Sequence, residues 1–189
     1  MATAVTVSRQ LALPAVLTPA ERDRLRLLFG RVETGGGRRG TILARFAPTP
    51  AERTAYLDRL ATISDALSPA PRAEIALAVK DMLRGFPTIA NLDSDTKRGM
   101  LVAYVGQLEP YPAWAVKQGI QSCLNEGSDF APAHAKVRMA AYGATVELQR
   151  ERAMIKAVLD AEVRRELTAE ERAAAVARWK ERRRMLVAE

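Results

Sequence analysis

Cysteine and histidine each occur once in this chain of 189 residues, as Cys123 and His134, and aromatic side chains make up only 5% of it. A single cysteine excludes an internal disulfide and suits a reducing compartment. With a single histidine, neither a His-based metal site nor a Ser-His-Asp arrangement is expected. No apolar run nears the roughly 18 residues that a membrane helix requires. The opening segment MATAVTVSRQLALPAVLTPAER has no basic n-region and is interrupted by Arg9 and Gln10, so it makes a poor signal peptide. The expectation is a cytoplasmic protein with no membrane partner.

What is present is apolar but small. The hydrophobic fraction is 48%, much of it alanine. Small side chains bury little area each, so a core has to be assembled from Leu, Val, Ile and Met on several packed helices. The net charge is +7 and unevenly spread. Residues 1–50 hold 8 basic against 3 acidic residues, residues 51–146 hold 10 of each, and residues 147–189 hold 11 against 9. A neutral middle between basic ends suits contact with an acidic partner such as nucleic acid. Ordinary solvated basic surface produces the same pattern.

Periodicity predicts helices throughout. Thr18-Pro19-Ala20-Glu21 is a capping box with proline at the first helical position. Leu25, Leu28, Phe29 and Val32 follow it as one stripe. The same TPAER start returns at Thr49, followed by Tyr56, Leu60, Ile63 and Leu67. A third helix carries Ile75, Val79, Met82 and Leu83 and stops at Pro87. A fourth, capped at Asp93 or Ser94, carries Met100, Leu101, Tyr104, Val105 and Leu108. A fifth, opened by Pro110 and Pro112, carries Ala113, Val116, Ile120, Cys123 and Leu124, with Gly127 as its C-cap. Beyond Pro132 a long helical stretch has Ile155, Leu159, Val163 and Leu167 as a thin seam. Thr168-Ala169-Glu170-Glu171 is a third capping box and marks a break. No segment shows the alternation of a strand. The fold class is therefore all-α, a compact multi-helix domain with a long charged helical C-terminal extension. The expected division is an N-terminal segment with a Gly/Arg-rich linker (1–48), a helical core (49–145) and a charged arm (146–189).

Few residues invite chemistry. Cys123 and His134 could form a Cys-His nucleophile, but Cys123 sits on an apolar stripe and reads as a small core residue. The segment GGGRRGT, residues 35–41, has a glycine-rich, phosphate-loop flavour, yet it lacks the lysine and the preceding strand. As a basic linker it still offers Arg38, Arg39 and Arg45 to phosphates. The densest positive patch is Lys180 with Arg182, Arg183 and Arg184, near a helix C-terminus where positive charge also offsets the macrodipole. Glu170 and Glu171 lie in a first helical turn, which explains them electrostatically. No catalytic, cofactor-binding or metal-binding residue is expected.

Residues 86–139 are the most distinctive stretch. Phe86-Pro87 is followed by a capped helix with Leu101, Tyr104 and Leu108, then by Tyr111-Pro112-Ala113-Trp114-Ala115-Val116, then by Phe130-Ala131-Pro132. As plain structure these are three helices with proline-marked starts and core aromatics. Their order resembles the small helical domain of phage replicative-helicase loaders and inhibitors and related prophage proteins. The resemblance departs after Pro132, where the family tends to show Ser or Thr and an acidic residue, and this chain has Ala133, His134 and Lys136. It implies a non-enzymatic DNA-replication accessory protein that engages a replicative helicase and helps place it on DNA, with a docking face around Tyr111, Trp114, Phe130 and Pro132. The competing expectations are a DNA-binding regulatory protein and a structural or assembly protein that self-associates through its C-terminal helices.

Overall fold

The computed structural model describes residues 17–33 and 40–188. It is 73% helical. Its elements, in order, are α1 (Pro19–Phe29), β1 (Thr41–Leu43), a 3-10 turn (Ala44–Phe46), α2 (Pro50–Ala66), α3 (Arg72–Arg84), α4 (Pro87–Ala90), α5 (Ser94–Leu108), α6 (Ala113–Leu124), α7 (His134–Asp160), β2 (Glu162–Arg164) and α8 (Ala169–Ala188). Among the described residues no helix is long and apolar enough to cross a membrane.

The helix starts follow their local chemistry. Thr18 and Thr49 each close a complete capping box, with Glu21 and Glu52 as reciprocal partners. Asp93 accepts from the amides of Asp95 and Thr96 to start α5. The amides of Thr168 and Glu171 are satisfied by each other's side chains ahead of α8. Gly127 has φ of 70°, the left-handed conformation that glycine adopts without cost. It lies beyond the α6 cap residue Asn125.

Two buried clusters are strung along α7, whose 27 residues amount to about 40 Å of rod. Ile75, Val79, Tyr104, Leu108, Val116 and Ile120 form the first with the opening turns of α7. Leu25, Leu28, Ile42, Tyr56 and Ile63 form the second with Ile155, Val158 and Leu159 from its closing turns. Residues 146–160, expected within the charged arm, thus form one wall of the second cluster. The two cores are joined by Trp114 on α6, whose indole N–H donates at 2.7 Å to the carbonyl of Ala66 at the end of α2. Such a carbonyl has no partner within its own helix.

The expected stripes hold where tertiary partners exist and fail at their edges. All four residues of the α3 stripe are buried. Phe29 is 43% exposed on the last turn of α1, whereas Leu25 and Leu28 are buried and Val32, half-buried, packs against the same core. Leu124, on the last turn of α6, is likewise exposed. Val163 and Leu167 are exposed because α7 stops at Asp160, so the seam through Ile155 and Leu159 does not continue. The absence of strands is also corrected: β1 and β2 pair in parallel, Thr41 with Glu162, Ile42 with Val163 and Leu43 with Arg164. Three residues are too few to show alternation.

Arg24 on α1 and Glu52 on α2 tie these helices together, Nε donating to Oε1 at 2.8 Å. That bond first, then the Thr49 amide, holds the Glu52 carboxyl down to about 2. Because the folded value is depressed, the stabilisation is complete above the unfolded value of about 4.5 and disappears as pH falls toward about 2. Glu52→Gln is therefore expected to lower stability at neutral pH and to flatten its decline across this acid window, as measured by denaturant unfolding at a series of pH values.

Candidate nucleic-acid interface

The small parallel sheet has one functional consequence. It joins the segment after α1 to the connector between α7 and α8, with the Glu162 amide donating to the Gly40 carbonyl at 2.8 Å. Glu33 and Thr41 exchange both backbone hydrogen bonds, at 2.8 and 2.9 Å, so the two flanks of residues 34–39 are fixed beside the sheet. A cleft of about 620 Å³ opens here. Arg31, Arg45, Arg164, Arg165 and Arg172 line it against two glutamates, Glu33 and Glu166.

Phe46 organises two of these arginines. The Arg31 guanidinium lies 4.6 Å and that of Arg45 4.7 Å from its ring centroid. Such contact fixes a long side chain while leaving its N–H groups available to an anion. Arg45 also meets Glu166 at 3.1 Å. Arg164 lies 3.6 Å from Glu162, and Arg165 binds Glu171 through both nitrogens at 2.5 and 3.2 Å. The Thr168 amide, and then Arg165, keep the Glu171 carboxyl below its ordinary value. Arg31 and Arg172 have no ion pair among the described residues. The lining therefore keeps a net positive charge after its internal pairing, as binding to a polyanion requires.

Of the basic residues singled out in the sequence, Arg45 is in this cleft. Arg38 and Arg39 lie outside the described residues. Lys180, Arg182, Arg183 and Arg184 lie on the second half of α8, so Arg182 is about 15 Å along the helix from Arg172. There Arg183 lies 5.4 Å from the Trp179 ring centroid and Arg184 4.0 Å from Glu181. Arg31, Arg164, Arg165, Arg172 and Phe46 were missed. They come from four separated segments, and nothing in their local spacing announces that a sheet gathers them.

The candidate docking residues are divided. Tyr111 and Trp114 stand at the start of α6, half-buried, whereas Phe130 and Pro132 follow its end. All four carry internal hydrogen bonds: the Trp114 indole donates to the Ala66 carbonyl, the Tyr104 hydroxyl to the Pro132 carbonyl, the Ala70 amide to the Tyr111 carbonyl, and the Phe130 amide to the Ser128 hydroxyl. Phe130 is 69% exposed.

Cys123 is buried among apolar neighbours, which push its thiol up, the opposite of what an activated nucleophile needs. The His134 ring sits edge-on to Tyr104 at 6.0 Å. No group of three or more His, Cys, Asp and Glu residues is placed to hold a metal ion among the described residues. No protein-family model, curated protein or solved structure matches the chain.

Proposed function

We propose that this chain is a non-enzymatic accessory protein that binds nucleic acid in the arginine-lined cleft, with α8 as a charged arm extending the basic surface. The convergence of five arginines on one cleft, two of them set against Phe46, carries the reading. Guanidinium groups pair with phosphate oxygens in a bidentate way, and each contact releases counterions. The narrower role is that of a phage or prophage DNA-replication accessory protein acting with a replicative helicase. It is supported by the order of features over residues 86–139, which fold as the consecutive helices α4, α5 and α6 and the start of α7.

Anisotropy of labelled single-stranded and duplex oligonucleotides, read at two salt concentrations, tests this. About five phosphate contacts on duplex weaken binding some hundredfold or more between about 50 and 200 mM salt. Arg31→Ala with Arg172→Ala is expected to weaken it at least about tenfold and to lower the salt slope by about two. Indifference of the wild-type chain to both nucleic acids, or an unchanged slope in the variant, rejects the cleft. Repeating the titration with the replicative helicase of the same genome present reads the narrower role. If the helicase leaves the complex unchanged and does not co-elute with the chain, nucleic-acid binding stands alone.

A further inference from the structure

A second concave surface lies on the other core, between α3, α4 and α5. Its floor is aliphatic: Leu83 is buried, while Ile89 and Leu101 are half-buried and packed against the first core. Its rim is cationic from both sides, with Lys80 and Arg84 one helical turn apart on α3 and the adjacent Lys97 and Arg98 on α5. The recess holds about 480 Å³, and among the described residues no carboxylate lines it. Arg84 is shared with Asp81 at 3.1 Å. Lys97 donates to the Ala90 carbonyl at 2.9 Å and so braces the end of α4. Lys80 and Arg98 form no ion pair among the described residues.

We infer that this groove is a docking site for an acidic segment of a partner protein, a short stretch in which one apolar side chain is flanked on both sides by Asp or Glu. The floor calls for an apolar anchor that leaves water there. The cations on the two flanking helices call for carboxylates before and after that anchor, and complementary charge of this kind selects the partner and speeds encounter. Nucleic acid fits less well, because the lining has no aromatic ring to stack a base and an aliphatic floor offers none of its hydrogen bonds. A bilayer surface fits less well too, because a recess accepts a protruding group instead of inserting one. The groove and the arginine cleft use different elements, so each stands or falls separately.

A capped, labelled nonapeptide with a central Phe between Asp and Glu residues, titrated into the full chain, tests the inference. Saturable binding is expected, weakened at least about tenfold when the peptide's Phe is replaced by Ala and abolished when its acids are replaced by Lys. Lys80→Glu with Arg98→Glu, both on exposed helix surface, is expected to weaken peptide binding at least about tenfold while changing oligonucleotide affinity less than about twofold. Methyl NMR shifts upon titration are expected at Leu83, Ile89 and Leu101. Absence of saturable binding overturns the inference, as do binding that survives the double charge reversal and shifts confined to the arginine cleft. A groove that takes up duplex DNA or anionic vesicles in preference to the peptide also overturns it.

Discussion

Gly119→Ala is expected to destabilise the protein by about 2 kcal/mol or more, although alanine is the better helix former by about 1 kcal/mol. Gly119 is buried on α6 where that helix crosses α7. A Cβ there would sit 2.7 Å from the Ala141 nitrogen, 3.0 Å from its Cα and 3.1 Å from the Val137 carbonyl oxygen. All three are backbone atoms of α7, so no side-chain rotation relieves the contact. The helices have to move apart, and the first core loses packing on both sides. Gly119→Val is expected to do more damage, through a larger side chain in the same place. Gly106→Ala on α5 is the matched control: nothing lies within 4 Å of its added Cβ, and the site is exposed, so a gain of about 0.5–1 kcal/mol is expected. Urea unfolding of the three variants checks the set. If Gly119→Ala and Gly106→Ala shift stability alike, α6 and α7 do not approach as described.

This crossing also shows what the sequence makes legible. The periodicity of α6 predicts an inner stripe of Ala113, Val116, Ile120, Cys123 and Leu124, and all but Leu124 are buried. The stripe omitted Ala115 and Gly119, which are equally inside, because a search for large apolar residues passes over the small ones that set how close two helices come. The capping boxes at Thr18, Thr49 and Thr168 were legible because each is complete within four residues. The α3 stripe was legible because α3 meets its core along its whole length.

What escaped depends on distant partners. The second half of α7 is rich in charge and reads as a solvated arm, yet Ile155, Val158 and Leu159 are covered by α1 and α2. The cleft escaped for the same reason. Arg45 stands out in the sequence by its place near the glycine-rich segment, whereas Arg164 and Arg165 sit in a connector whose significance comes from the pairing of β2 with β1.

Charge on α7 also misleads about Glu151, the site of the second large expected effect. Its carboxylate accepts from Arg59 Nε at 2.6 Å and from Nη2 at 2.9 Å, a bidentate pair that joins α7 to α2. The two side chains keep only 15% and 9% of their exposure, so water screens the pair little. Removing the carboxylate takes two charge-assisted hydrogen bonds from a guanidinium that is nearly out of water, and at about 1.5–3 kcal/mol each that change costs about 3–5 kcal/mol. Glu151→Ala is accordingly expected to lower Tm by roughly 10 °C at this chain length. The pair itself need not stabilise by that amount, since both ions had to be desolvated. Arg59→Met combined with Glu151→Leu is therefore expected to recover most of the loss, to within about 1 kcal/mol of the wild type. The second core also supports the arginine cleft, because α1 leads into Arg31 and β1 contributes Ile42 to both. The single variant should thus weaken oligonucleotide binding as temperature rises toward its lowered Tm, and the double apolar variant should restore binding together with stability. A single variant as stable as the wild type would show that the pair is solvated. Restored stability without restored binding would show that the cleft does not depend on this core.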